Sequence, residues 1–324
     1  MNGATPSDIL LCGLIMILAF GALGVANPFR GVVMFIVFGL VMALAWTRLH
    51  APDLALAEAA LGAGVLGVLF LATLRGRETK PEHMSKGLMV NGVTVSSLLM
   101  LAVLAAFAGY AGVFSSWMVA EEGLLLPAYD SLAKSGVANP VTAVILNYRV
   151  YDTFLEIGVL FLVMLSVFAL QDKDTGPVTP PGDTDSILRS YARAIVPLMV
   201  LAAGYLLWAG AFRPGGAFQA GAMLGGAGIM LYLSRPAMLL DMRGTIARFT
   251  LAAGFLSFCV LGVVVMLTGL DFLQWPPHRA KYFILAAETA STLSIGLTFT
   301  GLYAAIDQRL ISPSVSNTRG KVSS

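Results

Sequence analysis

Long apolar runs separated by short polar breaks dominate this chain from its start. By the criterion of roughly 20 apolar residues per membrane crossing, the pattern predicts about nine spans. They run approximately from Asp8 to Ala26, Phe29 to Trp46, Pro52 to Leu74, Leu88 to Phe114, Thr153 to Leu170, Ala192 to Ala211, Gly215 to Leu233, Phe249 to Leu270 and Tyr282 to Ile306. Each is expected to be a helix, because an open strand leaves backbone groups unpaired in lipid. The predicted fold class is all-α and polytopic. The stretch from Ser115 to Leu146 is long for a loop, moderately apolar and carries Pro127 and Pro140, which suits a short helix lying at the interface.

Two hydrophilic breaks divide the pattern. "RGRETKPEHMSKG" follows the third span and "QDKDTGPVTPPGDTDSILRS" the fifth; the second is rich in Pro, Asp and Gly, as a linker is. Three modules follow: residues 1–86 with three helices, 87–180 with two, and 181–324 with four. Composition agrees with the spans. The chain of 324 residues is 57% hydrophobic and 12% charged, against about 25% charge in a soluble domain. A net charge of +2 with no basic run among aromatics excludes a nucleic-acid footprint. With the N-terminus outside and the C-terminus inside, the basic residues divide about 14 to 6 in favour of the inner loops. The first segment lacks a basic leader and reads as a retained span.

Cys12 and Cys259 both fall in apolar stretches and read as small core residues, not as a disulfide or metal pair. His50, His83 and His278 fall in predicted loops, which argues against haem ligation within the spans. There is no CxxC, HExxH or phosphate-binding Gly-rich motif and no nucleophile–base constellation, so no cofactor, no metal and no enzymatic activity of the chain by itself are expected.

Four acids stand in or beside spans: Glu58, Asp152, Glu156 and Glu288. An ionised side chain at membrane depth costs several kcal/mol, so such residues face a partner or a hydrated cavity. Glu58 and Glu288 each lie roughly 10 Å into their helices. In the topology above, these helices and that of Glu156 start from the outer face, placing the acids in one outer layer. Such carboxylates suit proton transfer or a small cation. The alternative is an ion pair holding helices together. Asp152 has the strongest claim to it, since it caps its helix and Arg149 precedes it by one turn. Asp53 beside Pro52 is ordinary helix-start chemistry. In "FRPGGAFQAGAMLGGAG", Pro214 suits a helix start and Gly215 and Gly216 a tight turn, while Gly221 and Gly225 permit close helix approach. That segment is either a packing motif or the wall of a cavity beside Gln219.

Three blocks resemble one family. "LHAPDLALAEAALGAGVLGVLFLATL" resembles the C-terminal part of the large A subunit of Mrp-type multisubunit cation/proton antiporters, also found as a small subunit of energy-converting membrane-bound hydrogenases. "NYRVYDTFLEIGVLFLVMLSVFAL" resembles the module that follows in both systems, opened by Arg-x-x-Asp-Thr-x-x-Glu. "RPGGAFQAGAMLGGAGIMLYL" resembles the Pro-Gly-Gly-x-Phe region of the antiporter B subunit. The resemblance implies that Glu58, Asp152 and Glu156 serve ion translocation and that Pro214, Gly215, Gly216 and Phe218 belong to the B-subunit motif. Glu288 has no assigned counterpart, and Ala211, Phe212 and Arg213 replace the polar residues that commonly precede the Pro-Gly-Gly. The implied function is an ion-translocating subunit for Na⁺ and H⁺ in a bacterial or archaeal inner membrane. Its partners would be other antiporter-type membrane subunits, including a large proton-channel subunit. The alternatives are the membrane arm of a redox-driven ion pump and a structural adaptor between larger subunits.

Overall fold

In the computed structural model, which describes residues 5–75, 125–170, 186–234 and 244–311, every regular element is a helix. The chain divides into two units, residues 1–76 with 131–324 and residues 77–130. Of the second unit only the first six residues of one helix are described. The predicted span from Leu88 to Phe114 and His83 lie outside the described residues.

The helices are α1 (Pro6–Gly24), α2 (Pro28–Arg48), α3 (residues 52–75), α4 (Leu125–Ser135), α5 (residues 140–148), α6 (Val150–Leu170), α7 (Ser186–Ala209), α8 (Ala217–Ser234), α9 (Thr245–Met266) and α10 (Ala280–Ile311). Among the described residues, eight helices are long and apolar enough to cross a membrane, all but α4 and α5. The protein is a polytopic all-α membrane protein. Its exposed side chains are largely Leu, Val, Ile and Phe, as a surface facing hydrocarbon or neighbouring helices must be.

Four of the ten described helix starts carry a device that a sequence can encode. Pro stands at the first position of α1, α2, α3 and α5, where its missing N–H costs nothing. The Asn27 side chain accepts from the N–H groups of Phe29 and Arg30, and Asn139 accepts from Val141 N–H.

The core is built around α10, which packs on α8, α9, α6 and the last part of α3. Glycines set the α8–α10 spacing. A Cβ at Gly221 would lie 2.6 Å from Ile295 Cγ2 and one at Gly225 2.8 Å from Phe299 Cβ. From the other side, a Cβ at Gly296 would lie 2.8 Å from Leu224 Cβ. The helix backbones approach as closely as small-residue stripes permit, so Gly221 and Gly225 act in packing. The aromatic rings of Phe154, Phe255 and Phe161 stack between α6 and α9, filling the space beside this pair.

Two segments are π-helical: Glu58–Val65 within α3 and Val144–Tyr148 within α5. The π-turn is rare and concentrates at functional sites. The first carries Gly62 and Gly64 and closes with Leu66 N–H on Leu61 C=O. Helix α2 presses on it at Gly39, where a Cβ would stand 3.0 Å from Ala63 N.

Two expectations need correction. Pro214 does not open a helix: α8 starts at Ala217. Residues 210–216 are spent on a tight reversal in which Gly216 takes φ 126°, a value favouring glycine, and a Cβ on Gly210 would lie 2.7 Å from Gly216 Cα. Cys12 is not a core residue. It is exposed on α1, a helix with no buried residue, while Cys259 is half-buried.

Candidate functional site

The starts of α3, α5, α8 and α10 meet at one end of the bundle. Ala211 C=O accepts from Ala138 and Asn139 N–H, and Gly210 C=O accepts from the Thr142 hydroxyl at 2.6 Å. The Trp275 indole donates to Leu146 C=O at 2.7 Å. Gly136 lies against the first turn of α10, where a Cβ would be 2.8 Å from Lys281 N. Loop backbone that water would otherwise satisfy is thus paired within the protein.

Asp53, on the first turn of α3, ties this end together. Its Oδ1 accepts from Asn139 Nδ2 at 3.2 Å and from Gly215 N–H at 3.3 Å. Its backbone carbonyl accepts from Gln219 Nε2 at 3.3 Å. Asn139, 4% exposed, also donates to Arg213 C=O at 2.9 Å. One carboxylate therefore joins the start of α3 to the reversal before α8. Sequence reasoning assigns Asp53 to ordinary helix-start chemistry and passes over Asn139. The signal is available only in part: an Asn before a Pro marks a cap, but not a second bond from its amide.

Glu288 is the most deeply placed acid, 3% exposed on α10. Its carboxylate faces Gly216, the residue just before the start of α8. A helix start offers unpaired N–H groups and a positive dipole end, which stabilise the ionised acid. The space beside the Gly216 α-carbon is bordered by two side-chain oxygens. A Cβ there would lie 3.3 Å from Glu288 Oε1 and 3.6 Å from Gln219 Oε1. Gln219, 8% exposed, turns its nitrogen to Asp53 and its oxygen toward the acid. Glu288 Oε1 and Gln219 Oε1 thus border the same small space beside the start of α8. The Pro214–Gly215–Gly216–Phe218–Gln219 segment walls this site, with Phe218 packed against the core behind it.

The other three acids are elsewhere in kind. Glu58 is half-buried at the first position of the π-helical segment, with no hydrogen bond or ion pair to a described residue. Its carboxylate folds over Gly62, where a Cβ would overlap Oε1. Asp152 is exposed and forms an ion pair with Arg149 at 2.6 Å. Glu156 is exposed one turn further along α6, flanked by exposed Leu155 and Val159. Within the described residues, Asp152 and Glu156 are not brought to Glu288, although all four acids stand in the leading parts of their helices. Among these residues no three of His, Cys, Asp and Glu gather into a metal-ligating group.

Comparison with known proteins places these elements. Residues 13–78, which hold Asp53 and Glu58, match the MbhD family model, that of the D subunit of MBH. Residues 187–306, which hold the reversal, α8 and Glu288, match the domain related to the MnhB subunit of the Na⁺/H⁺ antiporter. The chain joins an MbhD domain to an MnhB-related domain. That places it among the Mrp-type and MBH-related membrane proteins. Among solved structures, a chain of the Mrp complex from Dietzia sp. DQ12-45-1b has the same fold, with a TM-score of 0.71 and 22% identity. The alignment covers 98% of this chain and 36% of that chain, so this chain spans about a third of its relative's length. No curated protein matches the chain. The Asp53 bonds to Gly215 and Gln219 therefore link the MbhD match to the MnhB-related match, and its bond to Asn139 adds the segment between them.

Proposed function

We propose that this chain is an ion-translocating membrane subunit of an Mrp-type Na⁺/H⁺ antiporter, and that Glu288 carries the proton. The observation behind this is a carboxyl group 3% exposed, at membrane depth, without a basic partner among the described residues. An acid kept only for architecture is expected to have a cation or several donors around it. Glu288 instead faces the reversal at Gly216, with the Gln219 side-chain oxygen bordering the same space. Glu58, at the π-helical turn of the MbhD domain, is the second carrier in this reading. Asp152 and Glu156, exposed on α6, face the neighbouring subunits. With the clustered helix starts on the outer side, Glu288 lies roughly 12 Å from that surface.

The test is Na⁺-dependent ΔpH in inverted vesicles holding the whole complex, with assembly followed on a native gel. Glu288→Gln is isosteric and keeps one oxygen. The expected result is an assembled complex whose exchange falls on the order of a hundredfold, the scale of losing a positioned proton carrier. Full exchange in the assembled variant overturns the role of Glu288.

The match of residues 13–78 to the MbhD family favours a second reading, the membrane arm of a redox-driven pump. The same vesicles separate the two. Antiport proceeds on an imposed Na⁺ gradient alone, whereas a redox arm moves ions only when an electron donor is supplied.

A further inference from the structure

Ser291 lies on α10, three residues beyond Glu288, and is 1% exposed. Its Oγ is a buried side-chain oxygen with no hydrogen-bond partner among the described residues. A buried hydroxyl is ordinarily paired, and an orphan marks a bound water or ion or a chemical role.

A helical hydroxyl has an easy remedy: it turns back to the carbonyl three or four residues earlier. Thr289 does this to Leu285, Thr292 to Glu288 and Thr300 to Gly296, at 2.7, 2.8 and 2.9 Å. Ser294 instead donates across to Leu251 C=O on α9 at 2.6 Å. Ser291 takes neither course. Residues three apart share a helix face, with Cβ atoms about 5–6 Å apart. The Glu288 carboxylate reaches toward Gly216, and Ser291 stands about one turn further along the helix. Ser291 Oγ makes no direct bond to Glu288, so a bridging water is what would serve both groups. Two polar groups are the minimum a buried water needs.

The elements packed on α10 bring no buried charge to this place. Helix α8 carries no charged residue, and α6 carries only the exposed Asp152 and Glu156. Helix α9 carries only the exposed Arg248, and the last part of α3 only Arg75 at its end.

We infer that Ser291 and Glu288 hold a water molecule between them, and that this water takes the hydrogen bond of protonated Glu288. The inference rests on the proposed role of Glu288. The protonated carboxyl donates to the water oxygen and the water donates to Ser291 Oγ, so that both buried groups are paired. Ser291 positions the water and does not itself change protonation state.

Infrared difference spectroscopy of the whole complex, taken between acidic and alkaline buffer, tests it. The C=O stretch of protonated Glu288 is identified by its loss in Glu288→Gln. In Ser291→Ala, which removes one oxygen and leaves no clash, that band is expected to move to higher frequency as the water is lost. A water O–H band sensitive to H₂¹⁸O is expected in wild type and absent in the variant. A Glu288 band identical in wild type and Ser291→Ala overturns the water site and leaves the proton carrier standing. No band assignable to Glu288 in wild type overturns both.

Discussion

Glu288 and Asp53 are both carboxylates near helix starts, yet their surroundings give them opposite duties. The Asp53 oxygen accepts from Asn139 and Gly215, and its carbonyl from Gln219, so it is occupied in holding backbone and side chains. Asp53→Ala takes the side-chain acceptor from Asn139 Nδ2 and Gly215 N–H and leaves the Gln219 bond to the backbone in place, at about 1–3 kcal/mol. Asp53→Asn keeps an accepting oxygen and is expected to lose about half as much. Thermal denaturation of the purified complex measures both, and equal losses would show that charge, not acceptance, is what matters. Arg149 and Asp152 form the opposite case. Their 2.6 Å pair is exposed on both sides, 68% and 53%. Arg149→Ala is expected to change stability by less than about 1 kcal/mol, by the same denaturation. Spacing alone marks Glu58, Asp152, Glu156 and Glu288 as notable. It does not rank them, because helical spacing gives a face and not what packs on it. The carboxylate that the resemblance leaves unassigned, Glu288, is the one the fold buries most deeply. The hydroxyl run after it, Ser291, Thr292 and Ser294, is the unused signal: polar side chains on several faces of a span mean that the span is enclosed by protein.

At the scale of elements, hydrophobic runs locate the described spans well, since lipid thickness fixes their length and Pro their starts. The run-based start of α8 comes out two residues early. Gly215 and Gly216 look like the ends of an apolar run, and only their φ values reveal a reversal. The two π-helical segments leave no sequence signal beyond glycine content. Yet the first sets the position of Glu58, and this yields a prediction. The Glu58 carboxylate occupies the space that a Cβ at Gly62 would take. Gly62→Ala must therefore displace the side-chain end of Glu58, while alanine itself favours the helix by roughly 1 kcal/mol over glycine. The proposal expects slower Na⁺-dependent exchange with no loss of thermal stability. Gly221→Val acts in the reverse sense. It drives new methyls into Ile295 at the α8–α10 contact, costs about 1–3 kcal/mol by overpacking, and reduces assembly on a native gel before it touches transport chemistry.

Seen whole, the chain is an assembly of parts that do not enclose one another equally. Helix α10 is largely buried, whereas α1 has no buried residue and is held mainly along α2. An exposed ion pair of Arg48 with Asp8, 3.0 Å, fastens its start to the end of α2. Glu156 is exposed on α6 among exposed Leu155 and Val159. A carboxylate there cannot rest against lipid without a cost of several kcal/mol. The related chain of the Dietzia Mrp complex is nearly three times as long as the part this fold occupies, since 36% of it is covered. On the proposed function, what covers Glu156 is another subunit, and the proton path through Glu288 is one segment of a longer route. Liposomes holding this chain alone should therefore show no Na⁺-dependent ΔpH, while liposomes holding the whole complex should. Glu156→Gln in the whole complex should weaken the neighbouring subunit's hold on a native gel, because hydrogen bonds to an ionised carboxylate are roughly twice as strong as those to a neutral amide. Exchange by the chain alone would mean that Glu288 and its surroundings form a complete path. The neighbouring subunits would then regulate transport and not share in it.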